Sequence, residues 1–400
     1  MPEYSSRVSV CRCPNYQSIN LTKAVEKCLS ALEPLPLSNG ARVLLKPNCL
    51  SADHGPDQPV NTRVEVIEAV GNYLRNRHQV NLVIADSSGM GSYGKTKRAY
   101  TLMGLDQAAM RLKAELVNLE ELRFIELQSP EGKILPKFKA TDLLEHVDAI
   151  VNLPKLKTHI LTGITGAIKN CLGLLPGSLK RAVHRIAPNG PAMSEALVDI
   201  FSGIKAEVPV ALNLMDGIIA MEGAGPAHGQ ARQTAWLLAS TDPVALDVTA
   251  AAIMGFNPAR VLTIVQAAKA DLGIADPSRI ELRRADWSEL PVPGFKHPFT
   301  RSREWAERVI PTWLIGRAYD WLYEAKPRWR PKQCQECGLC VQACPAQALK
   351  LSEHGLHLNR DLCIECYCCL EHCPSEGLWV PPGLRERIRI RRAGTPAGPP

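Results

Sequence analysis

The chain has 400 residues, 46% of them apolar and 22% charged, with a formal net charge of +7. That length calls for two or three domains, and that balance for a soluble globular protein, not a disordered or collagen-like one. No apolar run approaches the roughly 18 residues of a spanning helix, and Met1 to Arg7 lack the basic-then-apolar order of a secretory signal, so the expected location is cytoplasmic.

From Val8 to about Leu290, short apolar runs alternate with helix-periodic stretches. Arg42–Lys46, Asn81–Ala85, Ala149–Val151, Val210–Met215 and Trp236–Ala239 are predicted strands; Thr22–Leu32, Arg63–Arg75, Gln107–Leu116, Met193–Lys205 and Pro243–Met254 are predicted helices. The alternation predicts an α/β domain with a largely parallel sheet over residues 1–294. Each strand is followed by polar residues: Lys46-Pro47-Asn48, Asp86-Ser87-Ser88-Gly89, Asn152 through His159, Asp216-Gly217 and Thr241-Asp242-Pro243. Ligands of open parallel sheets sit beyond the carboxyl ends of the strands. Lys46, Lys155, Lys157, His159, Lys169 and Asp216 are therefore candidate catalytic residues, and Asp86, Ser87, Ser88 and Gly89 candidate binding residues. Lysines placed together grip a carboxylate or phosphate and depress one another's pKa. In an extended segment Lys155, Lys157 and His159 would share one side, and Pro154 would keep them out of a continuing strand or helix. Asp216, Glu222 and Asp242 are candidates for a divalent cation or proton transfer, and Cys171 is either a reactive thiol or a small buried residue.

The stretch Gly89-Met90-Gly91-Ser92-Tyr93-Gly94-Lys95-Thr96 fits two phosphate-loop patterns, between a predicted strand and a helix. Such short glycine motifs recur by chance, so nucleotide binding is not the expectation. The loop's milder role is to offer backbone N–H groups to an anion.

Residues 295–330 carry Trp305, Trp313, Trp321 and Trp329 at eight-residue intervals, and Thr312–Ala325 reads as a short helix. A membrane-interface helix and a strap packing the two domains together both fit; the strap is the commoner arrangement. Beyond them, nine of the fourteen cysteines crowd between Cys334 and Cys373. Residues 334–345 and 363–374 each fit C-x2-C-x2-C-x3-C-P, the run that holds [4Fe–4S] clusters in bacterial ferredoxins. Three thiolates on a tight loop converge on one cubane, and the fourth, before proline, reaches the neighbouring one. By that rule Cys334, Cys337, Cys340 and Cys373 hold one cluster and Cys363, Cys366, Cys369 and Cys344 the other, with Cys368 left over. Structural zinc prefers two spaced C-x2-C pairs and fits less well. Residues 346–351 and 375–380 echo each other, which predicts a strand after each cysteine loop in a small α+β ferredoxin-like domain spanning 331–381. The tail 382–400 is basic and is expected to be disordered.

The segment 330–380 resembles the bacterial two-cluster ferredoxins. Lys46-Pro47-Asn48, Asn152-Leu153-Pro154-Lys155-Leu156-Lys157-Thr158-His159, Lys169-Asn170 with Gly173, and Asp216-Gly217 followed by Glu222 and Gly223 through Pro226 resemble a microbial family. Its N-terminal domain is known as a domain of unknown function (number 362), often fused to a two-cluster ferredoxin. This resemblance covers roughly 5–290 and the cysteine module, and implies an iron–sulphur protein with a redox role, without naming a reaction. The expected function is an oxidoreductase relaying electrons between two [4Fe–4S] clusters and a small anionic substrate, served by a redox partner protein or reductase. The alternatives are a non-catalytic electron-transfer or cluster-carrying partner, and an ATP-coupled reductase using the Gly89–Thr96 loop. Nucleic-acid binding is not expected.

Overall fold

The computed structural model describes residues 5–89, 94–159, 161–187, 189–227, 229–298 and 327–342, and between 344 and 379 all but 345, 346, 354, 361, 364–368, 370–372, 374 and 376. The helix predicted over 312–325, residues 90–93 of the Gly89–Thr96 loop, Cys366, Cys368 and the tail 382–400 lie outside the described residues.

The larger unit is built on one sheet. Its strands are β1 (Ser6–Arg12), β2 (Arg42–Pro47), β3 (Asn81–Asp86), β4 (Glu115–Asn118), β7 (Ala149–Leu153), β8 (Lys155–His159), β9 (Gly163–Thr165), β10 (Val210–Glu222), β11 (Gln230–Ser240) and β12 (Ile280–Arg283); a separate hairpin supplies β5 (Phe124–Gln128) and β6 (Lys137–Thr141). The order is β12-β1-β11-β10-β7-β2-β3-β4, with β8 beside β10 and β9 beside β8. From β4 through β10 the neighbours run parallel, while β11 runs antiparallel to both β10 and β1. The sheet is thus largely parallel, as its apolar runs predict.

Helices α1 (Ser18–Ser30), α2 (Val64–His78), α3 (Thr96–Met103) and α4 (Leu105–Leu112) precede α5 (Ala167–Asn170), α6 (Ser178–Ile186), α7 (Gly190–Glu207), α8 (Pro243–Ile253) and α9 (Leu262–Lys269). Leu21, Val25 and Leu29 of α1 and Val66, Val70 and Leu74 of α2 share one core with Val43, Leu45, Val151 and Leu153 of the sheet. Leu44 and Ile150, which alternate with those strand residues, are equally buried yet lie outside that core. Strands covered on both faces read as unbroken apolar runs, which is why they were legible.

Chain order makes the sheet a functional frame. The chain moves outward from β2 through β3 to β4, then returns to lay β7 on the other side of β2. Lys46 and Pro47 at the end of β2 are in register with Asn152 and Leu153 at the end of β7. This reversal is a topological switch point, where open α/β sheets bind ligands.

Three details depart from the sequence reading. Asp216 lies inside β10, not after it. Asp-Gly ordinarily marks a turn, but here the strand continues to Glu222 because β11 pairs with it to the end. Residues 155–159 form a strand of their own: Pro154 interrupts the run after β7, its carbonyl accepts from Asp216 N at 2.9 Å, and β8 then pairs with the second half of β10. The helix predicted over Gln107–Leu116 ends at Leu112, and Glu115–Asn118 becomes β4.

The second unit joins Ser178–Asn189, and with it α6, to the cysteine-rich C-terminal region. It holds two small antiparallel ladders, β13 (Arg328–Trp329) with β16 (Leu378–Trp379) and β14 (Leu349–Ser352) with β15 (Gly355–Leu358). β14 and β16 are the strands predicted after the two cysteine loops.

Candidate functional site

In the second unit Cys334, Cys337, Cys340 and Cys373 line one cavity, together with Leu351, Leu356 and Leu378. These are the four cysteines that motif spacing assigns to one cluster. Thiolates surrounded by apolar side chains suit an iron–sulphur cluster, and backbone N–H groups approach the sulphurs: Gly377 N donates to Cys373 Sγ at 3.1 Å and Glu336 N to Cys334 Sγ at 3.4 Å. Gly377 has to be glycine, because a Cβ there would come within 2.9 Å of Cys334 Cα. Of the other set, Cys363 and Cys369 are buried and Cys344 Sγ accepts from Ala348 N at 3.2 Å.

In the larger unit the predicted site residues collect around the switch point. Lys46 Nζ donates to Asp86 Oδ1 at 2.9 Å, and both side chains are essentially inaccessible to solvent. Asp86 also accepts from the N–H groups of Cys49 and Ser87. Ser87 Oγ donates to Gly173 O at 2.6 Å, Ser88 accepts from Thr96 Oγ1, and Gly89 N donates to Leu50 O. Gly173 packs so closely that a Cβ would collide with Asp86 Oδ1 and come within 2.6 Å of Lys46 Nζ.

A second buried pair joins Lys155 Nζ to Asp216 Oδ2 at 2.7 Å. Tyr16 OH donates to Asp216 Oδ1 at 2.8 Å and accepts from Lys155 Nζ at 3.0 Å. Burial, then the Asp216 charge, holds the Tyr16 hydroxyl far above its usual pKa, so it stays protonated. Burial draws Lys155 down, and Asp216 opposes that shift.

Lys157 is held differently. Its Nζ donates to Asn48 Oδ1 at 2.6 Å and Val60 O at 2.7 Å, and burial, followed by Lys169 and Lys155, pushes its pKa well below the ordinary lysine value. Were this amine to give up its proton, the two acceptors would still take both remaining N–H bonds and leave the lone pair free. From Lys157 a chain of amides runs inward: Asn48 donates to Asn170, Asn170 to Asn152, Asn152 to Asn213, at 2.9, 2.7 and 2.9 Å. Donors aligned head to tail polarise one another, so the chain fixes the amide dipole that faces Lys157.

Other candidates are placed elsewhere. His159 Nδ1 accepts from Leu161 N and Thr162 N, which ties the ring to the following turn. Lys169 is half-buried and acts on Lys157 through its charge. Asp242 caps α8 through Val244 N and Ala245 N and also accepts from Ile274 N, while Glu222 accepts from Lys296 N. With Asp216 engaged by Lys155 and Tyr16, the three carboxylates occupy separate networks. Among the described residues no three His, Cys, Asp or Glu side chains gather as ligands of a single metal ion. Cys171 is fully buried, and burial pushes its thiol up to about 12, so it is a packing residue. Lys95 is exposed, and Glu120 accepts from Gly94 N at 3.2 Å and Thr96 N at 3.4 Å, which occupies amides that a phosphate would need.

Sequence reasoning missed Tyr16, two hundred positions from the aspartate it binds, and Asp247. Asp247 is fully buried and accepts from Ala167 N and Ile168 N at the start of α5, the helix that carries Lys169 and Asn170. Desolvation raises its pKa to about 7, against those two hydrogen bonds. A lone acid in the apolar run Pro243–Ile253 was the signal available.

Comparison with known proteins agrees with this division. The family described as Domain of unknown function (DUF362) matches residues 43–252, and a 4Fe-4S dicluster domain matches 333–376. A thylakoid-associated protein of Synechocystis sp. is 31% identical over 278 residues, which is 69% of this chain and 82% of that protein. The lactate racemase apoprotein of Thermoanaerobacterium thermosaccharolyticum aligns at 12% identity and a TM-score of 0.37, over 63% of this chain and 58% of its own, a likeness too slight to carry an argument. The cysteine cavity and the matched segments agree: the chain is an iron–sulphur protein that belongs to the family of the domain of unknown function 362, with a 4Fe-4S dicluster domain behind it.

Proposed function

We propose that the protein is an oxidoreductase that carries two [4Fe–4S] clusters and exchanges electrons with a small anionic substrate at the switch point of its α/β domain. The observation that carries the reading is Lys157, a buried amine depressed by burial and neighbouring lysines, at the end of an amide chain beside β2 and β7. The clusters supply one-electron transfer when bound. The chain's own contribution is a titratable amine at Lys157, a nearby positive charge at Lys169, and the Lys155–Asp216–Tyr16 network, in which a proton is held between three groups. Lys46 enters this reading as framework, since Asp86 already neutralises it.

That closure favours a second reading, in which the α/β domain docks a redox partner protein and does no chemistry. Mass spectrometry of anaerobically purified protein separates the two. A small acid retained by the wild type and lost from Lys157→Met, with iron content unchanged, supports the enzyme; no small acid retained by either protein, and none of those tried reoxidising the reduced wild type, supports the partner. No described helix is long and apolar enough to cross a membrane. We propose a cytoplasmic setting, and the thylakoid-associated relative makes a membrane surface the alternative that fractionation would reveal.

A further inference from the structure

The dicluster match begins at residue 333, yet the unit that contains it takes in α6 from the middle of the chain. Within that unit Arg185 Nη1 donates to the main-chain carbonyl of Cys363 at 2.7 Å. Cys363 is buried and Arg185 half-buried, and Val183 and Ala187 of the same segment are buried beside it in sequence. The contact joins an inserted basic helix to the first cysteine of the second cluster motif.

We propose that α6 is part of the iron–sulphur site, with Arg185 as a positioning residue that holds the Cys363 main chain and raises the potential of the cluster Cys363 would hold. This rests on the two-cluster reading above. A guanidinium stays charged at any working pH. Half-buried, it is screened less than a surface charge. A cluster gains a negative charge on reduction, and its potential follows net charge and hydrogen bonding around it. A fixed positive group one residue's frame from a ligand sulphur therefore favours the reduced form. Backbone N–H donors reach sulphurs of both sets, Cys334 and Cys373 in one and Cys344 in the other, so the Arg185 charge is an addition made to the second set alone. The two clusters are consequently unequal, with the one near α6 the easier to reduce.

The test is an EPR-monitored redox titration of anaerobically reconstituted full-length protein, with iron analysis, for wild type, Arg185→Gln and Arg185→Lys. Cys344→Ser, which alters a ligand of the same cluster, identifies its signal. The wild type alone checks the two-cluster reading: one signal and half the iron would remove that premise whatever Arg185 does. Given two signals, Arg185→Gln should shift only the Cys363 cluster to lower potential, or cost about half the iron, with Arg185→Lys closer to wild type. Unchanged potentials and iron in Arg185→Gln would overturn the proposal. So would a shift of both clusters together or loss of all iron, since neither is confined to one site.

Discussion

At the scale of single residues, Asp216 shows how much one buried carboxylate can organise. It is bound by Lys155, Tyr16 and the N–H of Arg63, from three distant parts of the chain. Removing one member of a buried ion pair leaves an uncompensated charge and costs about 3–5 kcal/mol, whereas replacing both with apolar groups is often neutral. Lys155→Met should therefore destabilise strongly in denaturant unfolding, and Lys155→Met with Asp216→Leu should recover much of the loss. Asp247 carries the opposite burden. Its folded pKa of about 7 exceeds the ordinary 3.8, so the folded state holds a proton that the unfolded state has released. Stability from this group falls as pH rises between about 4 and 7 and levels off above, by at most on the order of 4 kcal/mol. Asp247→Asn should gain on wild type across that window and run parallel to it above pH 7, measured as apparent Tm by circular dichroism.

Among the elements, the segment from α5 to Gly173 acts as a cover. Asp247 caps its start, Asn170 enters the amide chain, and Gly173 lies against the Lys46–Asp86 pair. Gly173→Ala would drive a methyl group into that pair, where neither partner can withdraw without losing its charge partner. The expected cost is about 3 kcal/mol, the upper end of ordinary overpacking, read as a lowered unfolding midpoint. The start of α3 yields a different expectation. Its free amides are directed to Glu120 and its Lys95 is exposed. Labelled ATP with magnesium should show no micromolar binding, and Lys95→Ala should change nothing; tight binding abolished by that substitution would establish a nucleotide site instead.

For the whole molecule, the cavity lined by Cys334, Cys337 and Cys340 of the first motif is completed by Cys373 of the second. Cys373→Ser should therefore perturb the cluster of the first motif and leave the second motif's cluster in place. Reconstituted wild type should carry about eight irons, as two cubanes require, and bound zinc with no EPR signal on reduction would refute the assignment. The two compact units also do not follow chain order: the chain leaves the larger unit at Gly177, contributes α6 to the smaller one, and returns at Gly190.

What the sequence determined by itself was whatever local spacing controls. Cysteines two residues apart are brought together by one loop, so the dicluster module and the four cysteines that line one cavity could be read from spacing. Strands covered on both faces, such as Arg42–Pro47 and Asn81–Asp86, announce themselves as apolar runs, and the lysines after β7 stood out because charge is rare beside such runs. What only tertiary structure decided is the state of those charges. Lys46 and Lys155 meet carboxylates forty and sixty-one positions away, and Lys157, among the described residues, donates to carbonyl oxygens. Whether a buried lysine is an ion pair or a depressed amine depends on those partners and on burial, and neither is encoded in neighbouring residues. Tyr16 and Arg185 were invisible for the same reason, and Asp247 showed only as a lone acid in an apolar run: each acts on a residue brought to it by the folded chain.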